Sequence, residues 1–221
     1  MNTQRTVRRN AAGFSLVELM IAMTIIIIGM GVASKLLAQS FGIRTREDTR
    51  SDAIADAQRA LNILSREIAN SGFGLTDNGI VPADSNATSI RVRANLNAYL
   101  GQTTSGTVTD RDEDVKYIMY VDDAAQRRYL VRYDVNLTAP MNQTVLANRI
   151  DSLNIAYFDV AGNQLNVAAT PALAANATRL VLTVGVTLPA VGAPGASNYQ
   201  PSSQIQLTSA VVLRNARQLS Y

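Results

Sequence analysis

The residues of this chain that could do chemistry lie close together near the N-terminus, where Gly13 is followed by Phe14 and then by the carboxylate of Glu18. Glu18 is the one ionisable residue in the apolar stretch 14–34, which has 21 residues. An ionised side chain costs about 2.5 to 3.5 kcal/mol near the centre of a bilayer, so a carboxylate in such a stretch is a functional candidate by default. Its position about one helical turn after Phe14 indicates a partner at this end of the segment.

The apolar stretch 14–34 is long enough to cross a membrane. At about 1.5 Å per residue it forms a helix of roughly 31 Å, against about 30 Å for the hydrocarbon core. Arginines and no acidic residue precede it, so the positive-inside rule places the N-terminus in the cytoplasm and Lys35 onward outside. A secretory signal has its small-residue cleavage site after the apolar run, whereas Ala11, Ala12 and Gly13 come before it. The order of the residues therefore argues against a secretory signal.

Residues 11–20, which read AAGFSLVELM, resemble the leader of type IV prepilins and pseudopilins, whose pattern is G-F-x-x-x-E. The resemblance implies that a prepilin peptidase, a membrane aspartyl protease, cuts between Gly13 and Phe14 at the cytoplasmic face and that the new amine of Phe14 is methylated. It also implies that Glu18 pairs with the Phe14 amine of a neighbouring subunit during assembly. The alternative is that Glu18 lies near the headgroups, where shallow depth and the positive end of the helix dipole lower its cost.

A helical pattern continues beyond the apolar stretch, and no proline interrupts residues 14–71. Apolar residues recur at helical spacing, with charged residues such as Glu67 on the other faces. The apolar positions are Ile54, Ala57, Leu61, Leu64 and Ile68. Gly72 and Gly74 supply the end of the helix. The predicted divisions of the chain are a leader at 1–13, a transmembrane helix half at 14–34, an amphipathic periplasmic half at 35–71 and a β-rich globular domain at 72–221.

Gly29 and Gly31 interrupt the apolar segment, and each lowers helix propensity by about 1 kcal/mol relative to alanine in water. Glycine is common in membrane helices, so packing is the simpler explanation. The other explanation is that the two glycines loosen the helix when the subunit moves from lipid into a filament.

Beyond Gly74 the pattern changes to short runs rich in valine, isoleucine, leucine and tyrosine, which is typical of β-strands. The predicted strands are 89–93, 115–121, 128–135, 151–158, 164–167, 179–188 and 204–213. Turns are expected at 122–127 and 161–163, and the segments 94–109 and 192–203 are predicted loops. Short antiparallel strands packed against one long helix give an α+β fold with a pilin-like architecture.

The composition argues against an enzyme and against a metal or cofactor site. The chain has no histidine and no cysteine, so zinc and copper lack their usual ligands, and no histidine base or thiol is present for catalysis. Three of the 20 basic residues precede Phe14, which leaves 17 basic and 17 acidic residues in the mature chain. The basic excess therefore belongs to the leader and gives no reason to expect a nucleic-acid surface.

Three aspartates, Asp110, Asp112 and Asp114, alternate as they do in a calcium-binding loop. Val115 occupies the position where an EF-hand requires glycine, and no glutamate follows at the needed spacing. A solvated acidic turn is therefore the preferred interpretation.

Basic and aromatic residues alternate in the segment 127–133, as they do in some nucleic-acid surfaces. The alternation of a half-buried strand would put arginines in solvent and apolar residues on the core. The predicted outward residues are Arg128 and Arg132, and the predicted core residues are Tyr129, Val131 and Tyr133. Contact with DNA is accordingly disfavoured.

Several segments narrow the resemblance to the PilW-type minor pilins. They are ALNILSREIANSGF from Ala60, the strand pair from Val115 to Tyr133, VLANRIDSLNIAYFD from Val145 and VVLRNAR from Val211. The minor pseudopilin J of type II secretion shares the leader and the long-helix end and is the nearest alternative.

The resemblance implies a low-abundance subunit that spans the inner membrane once, exposes a periplasmic domain and then joins the pilus filament at the cell surface. Its implied partners are the prepilin peptidase, other minor and major pilins and the inner-membrane platform protein. A hypothesis of a different class is a binding module at the pilus tip that recognises DNA or a surface through the loops 94–109 and 192–203.

Overall fold

One helix of 54 residues, α1 (Leu16–Ala69), dominates the computed structural model of the chain. At about 1.5 Å per residue it is roughly 81 Å long. The structure describes residues 15–97, 107–122, 127–147, 150–196 and 199–216. Within them the helix ends at Ala69 with Asn70 as its C-cap, slightly before the predicted end at residue 71.

The second half of α1 packs on the domain through a stripe in which alanine is prominent. The buried residues are Ala53, Ala57, Ala60, Leu61, Leu64 and Ile68. The predicted stripe is therefore correct except at Ile54, which is half-buried because Ala53 faces the core instead. Alanine at three of these positions lets the helix axis approach the sheets closely, since the side chain adds only a methyl group.

The strands form two antiparallel sheets of four strands each. The first has the order β1-β2-β3-β4 and the second the order β6-β5-β7-β8. Their bounds are β1 (Ser89–Arg93), β2 (Asp114–Asp122), β3 (Arg127–Asp134), β4 (Gln143–Ala147), β5 (Ser152–Phe158), β6 (Gln164–Leu165), β7 (Arg179–Leu188) and β8 (Ser203–Val212). Helix α1 lies against β7, β8 and β4. The α+β fold with a long helix on antiparallel sheets is thus confirmed.

Seven of the eight strands coincide with predicted ones to within a few residues. β4 was not predicted, because it is a short edge strand whose first three residues are exposed and which buries only Ala147. It carries no alternating apolar pattern that the sequence could reveal.

Strand β3 agrees only in part with its predicted orientation, since Arg128 is exposed as predicted but Arg132 is not. Leu130 is fully buried in the core, and Arg132, two residues further on, lies on the same face with only 14% of its side chain exposed. On the other face Val131 is buried, as predicted, and Tyr129 and Tyr133 are half-buried. Consecutive Leu130 and Val131 make the alternation ambiguous, and the inward arginine is tolerated because a carboxylate on α1 pairs with it.

The segment that follows α1 is built around a buried asparagine. The amide of Asn78 donates to the carbonyls of Ala174 and Ala177, at 2.9 and 3.0 Å. Gly79 has φ +72°, a conformation that glycine adopts at little cost, and its carbonyl accepts a hydrogen bond from the backbone of Arg93 at 2.7 Å. This turn joins the helix end to β1 and to the 3₁₀ helix Pro171–Asn176.

The end of α1 is also tied to the segment that follows β8. The backbone amide of Arg214 donates to the carbonyl of Ala69 at 3.0 Å. The side-chain amide of Asn215 donates to the carbonyls of Asn70 and Ser71, each at 3.2 Å. Carbonyls left without intrahelical partners at a helix end are satisfied here by residues that come about 145 positions later in the chain.

Candidate functional site

Glu18 lies in the first turn of α1 and is exposed. The helix begins after Ser15, whose carbonyl accepts the backbone amide of Leu19 at 3.1 Å but whose side chain makes no capping hydrogen bond. The carboxylate therefore stands at the positive end of the helix dipole. Gly13 and Phe14 lie outside the described residues, so cleavage between them, methylation of Phe14 and pairing of its amine with Glu18 stay predictions.

The exposed apolar surface of α1 is longer than the predicted stretch 14–34. Large apolar side chains remain exposed past Lys35 as far as Phe41 and Ile43, at 58% and 47% exposure. From Leu16 to Ile43 the helix rises about 42 Å, which matches the roughly 40 to 45 Å of a bilayer with its headgroup regions. Within the part of the chain that the structure describes, α1 is the one helix long and apolar enough to cross a membrane.

The helix is continuous through Gly29 and Gly31, and no atom of the described chain approaches the space that a side chain would fill at either position. Neither glycine is needed for packing within one subunit. Packing against another helix and loosening of α1 in a filament both stay open as explanations.

The helix is linked to the first sheet by an ionic group that the sequence analysis did not find. Glu67 of α1 accepts a hydrogen bond from the hydroxyl of buried Tyr117 on β2 and from Arg132 on β3 at 3.0 Å. Arg132 also donates to Asp112 at 2.7 Å. Burial and then the nearby Glu67 raise the pKa of the Tyr117 hydroxyl well above its usual value. Burial disfavours the charge of Arg132, but attraction to Glu67 outweighs it and raises the pKa of the guanidinium.

This link bears on the proposed contact of β3 with DNA. Arg132 is engaged with α1 and is not part of an outward basic stripe, which removes one cation from the hypothetical DNA surface.

The link between Glu67 and Arg132 also lies beside a cleft of about 430 Å³ between α1 and the first sheet, with apolar Ile63 and Leu146 among its lining residues. In the sequence, the signal for the link is Glu67 itself, a charged residue directly beside Ile68 of the buried stripe.

The three alternating aspartates do not converge. Asp114 is only 3% exposed and binds the guanidinium groups of Arg91 and Arg93 at 2.7 and 2.9 Å. Asp112 turns to Arg132 instead. The prediction of a solvated acidic turn is therefore wrong for Asp114. Among the described residues no group of three or more acidic side chains is placed to hold a metal ion.

Asp84 belongs to a second ionic group, because Arg91 binds both Asp114 and Asp84. Lys116 and Arg91 each donate to one of its carboxylate oxygens at 2.7 Å. The hydrogen bond from Lys116, followed by that from Arg91, lowers the pKa of the Asp84 carboxyl.

We expect a pH-dependent loss of stability from this carboxylate. A depressed folded-state pKa means that Asp84 stabilises the fold above its unfolded pKa of about 3.9 and that this contribution is lost as the pH falls through the lower folded-state value. Urea unfolding of the chain in detergent should therefore show a stability difference between the wild type and Asp84→Asn that is present at neutral pH and shrinks in acid. Asp48→Asn, which removes the same charge from an exposed site on α1, serves as the control. A difference that stays constant with pH would contradict this assignment.

The two loops considered for ligand binding are described in part. Residues 98–106 of the first loop and 197–198 of the second lie outside the described residues. The second loop closes the hairpin of β7 and β8, and it has a short bridge between Val191 and Gln200 and positive φ angles at Gly192 and Gly195. Its end near Ser203 is fastened to α1, because Arg46 donates to the carbonyl of Pro201 at 2.7 Å and to the hydroxyl of Ser203 at 3.2 Å.

Comparison with known proteins bears on the N-terminal segment. Residues 8–34 match a family model described as the prokaryotic N-terminal methylation motif. No curated protein matches the chain significantly. The matched range includes Gly13, Phe14 and Glu18 and continues into the exposed apolar half of α1. The motif supports a type IV pilin or pseudopilin that is processed by a prepilin peptidase, assembles with other pilins and is held in the membrane by its N-terminal helix.

Proposed function

We propose that this chain is a minor pilin, a structural and assembly subunit of a type IV pilus that acts in the priming complex at the tip. The observation that carries the proposal is the junction of a methylation motif with a continuous helix whose first half is apolar and exposed and whose second half holds an α+β domain. An exposed apolar helix of this length requires a nonpolar environment, which the bilayer provides first and the packed helices of a filament provide afterwards.

In this proposal each part of the chain has one task. The leader keeps the N-terminus in the cytoplasm until the peptidase removes it. The mature subunit then waits in the inner membrane with its domain in the periplasm, and the platform protein and its motor move it into the filament. Glu18 aligns the incoming subunit by pairing with the Phe14 amine of a neighbour. The subunit ends at the cell surface together with other minor and major pilins.

Substitution of Gly13 by leucine tests the first step. The family pattern has glycine directly before the cut, so a branched side chain at that position should block processing. We expect the variant to accumulate in the membrane with its leader attached, whereas Asn10→Leu in the same leader should be processed normally. Mass spectrometry of the N-terminal peptide distinguishes the two forms. Normal removal of the first thirteen residues from Gly13→Leu would argue against a prepilin-type site.

Deletion of the chain from its host separates the proposal from the pseudopilin alternative. A minor pilin is needed for surface pili, so piliation should fall while secretion of exported enzymes continues. A component of type II secretion would give the reverse result. Loss of adhesion or DNA uptake with normal piliation would instead favour a binding module at the tip.

A further inference from the structure

The hairpin of β7 and β8 contains no charged residue between Arg179 and Arg214. Its closing loop is rich in alanine, proline and glycine. Pro189, Ala190 and the run from Ala193 to Ala196 are exposed, and Tyr199 is 36% exposed. An uncharged, exposed and partly apolar tip with one aromatic side chain is unusual for a loop that faces only water, where charged residues keep a surface soluble.

The direction of this tip follows from three contacts along α1. Arg46 binds Ser203 at the start of β8, Ser65 binds Ser209 in its middle, and Ala69 accepts the backbone amide of Arg214 after its end. Strand β8 therefore runs parallel to α1. The loop that precedes Ser203 lies on the side of the domain that faces the N-terminal, apolar half of the helix.

The height of the tip above the membrane follows from the same helix. The exposed apolar surface of α1 ends at Ile43, at about the outer limit of the headgroup region if Leu16 marks the inner limit. Arg46, which holds the base of the loop, is three residues further and thus only about 4.5 Å higher. The bridge between Val191 and Gln200 continues the hairpin beyond Ser203 by three residues, a reach of up to about 10 Å.

We propose that the tip of the β7–β8 hairpin rests on the lipid headgroups of the membrane that holds α1, with Tyr199 at the interface. The inference rests on the membrane anchoring that is part of the proposed function. Tyrosine favours this depth because its ring is apolar and its hydroxyl remains hydrated. Lys35 and Arg44, both exposed on the adjoining part of α1, lie about 7 Å below and above this level and supply cations for anionic headgroups. The contact gives the domain a defined orientation before assembly, and it is released when the subunit leaves the bilayer.

Single-tryptophan reporters test the contact, because the chain contains no tryptophan. The variants are Tyr199→Trp and Pro194→Trp at the tip, Ile28→Trp in the spanning segment and Val160→Trp as a distal control. Val160 is 69% exposed and belongs to the turn near Arg214, at the opposite end of the domain. Each full-length variant is reconstituted into vesicles of phosphatidylcholine and phosphatidylglycerol, with or without brominated lipids. The bromines lie near the headgroup end of the acyl chain for the tip and control variants, and near its methyl end for Ile28→Trp, which lies close to the bilayer centre.

We expect the fluorescence of both tip reporters to shift to the blue and to be quenched in brominated vesicles, and that of Val160→Trp to be unchanged. Quenching of Ile28→Trp alone would overturn the hairpin contact and leave the membrane anchoring intact. No quenching of Ile28→Trp would overturn the anchoring and the hairpin contact together. Two tip positions are used so that a local distortion at one of them does not decide the result.

Discussion

Substitution of Glu18 by glutamine is expected to give a subunit that is processed and membrane-bound but absent from filaments. An unpaired carboxylate in lipid is unfavourable, by about 2.5 to 3.5 kcal/mol at the bilayer centre and by less towards its surface, and pairing with the amine of Phe14 in a neighbour relieves this cost. Glutamine has almost the same shape but no charge, so nothing draws it to the amine. With each 1.4 kcal/mol equal to about a factor of ten, the cost at the bilayer centre sets an upper limit of about a hundredfold on the fall in incorporation.

The measurement compares the variant in sheared filaments with the variant in the membrane fraction, and mass spectrometry of the N-terminus confirms cleavage. Glu47→Gln is the matched control, since it removes the same charge from an exposed site on α1 outside the spanning segment. Glu18→Asp keeps the charge on a shorter side chain and should assemble better than Glu18→Gln. Equal incorporation of Glu18→Gln and the wild type would show that the carboxylate merely lies near the headgroups.

Substitution of Gly79 by alanine is expected to destabilise the domain strongly, because the added methyl group would meet the backbone at very short distances. A Cβ atom at Gly79 would lie 2.2 Å from the backbone nitrogen of Gly72 and 2.3 Å from the carbonyl oxygen of Arg93. Both are main-chain atoms that take part in hydrogen bonds, so neither can move without breaking the connection between α1 and β1. We expect a loss of more than about 4 kcal/mol, the range that marks a specific structural failure.

Gly162→Ala separates the steric effect from backbone strain. Gly162 also has a positive φ, +85°, but no atom lies within 4 Å of a Cβ placed there. Its substitution should therefore cost only the left-handed conformation, about 1 to 2 kcal/mol. Urea unfolding of both variants in detergent, followed by circular dichroism, measures the difference. Similar losses at the two positions would mean that the turn at Gly79 relaxes around the added methyl group.

The sequence predicts the helix and most strands well, because their patterns are long and regular. The stripe on α1 repeats over four turns, and the strands of the second sheet, such as β7, bury alternate residues as the pattern requires. β4 has no such pattern, since only its last residue is buried. The inward side of β3 is not predictable from its own residues, because Arg132 is buried only where Glu67 stands opposite, and that pairing joins residues 65 positions apart.

At the candidate site, too, local features can be predicted from the sequence and non-local ones cannot. The spacing of Gly13, Phe14 and Glu18 is local, so one segment of sequence suffices to predict the site, and the matched motif covers the same residues. The length of the exposed apolar surface of α1, in contrast, cannot be predicted from the N-terminal segment alone. It reaches Ile43 because the domain begins to cover α1 only near Gln39 and Gly42, and that depends on where the hairpin of β7 and β8 docks.

Helix α1 and strand β8 run side by side in the same direction and are fastened to each other at both ends, through Arg46 to Ser203 and through Ala69 to Arg214. Tension that enters through the N-terminus of α1 therefore loads these bonds and the packing between them in shear, all at once, and does not peel them apart one by one. A chain without cysteine has no disulfide bond to carry such a force. The parallel alignment of α1 and β8 thus gives the domain mechanical resistance to a pull along the axis of α1.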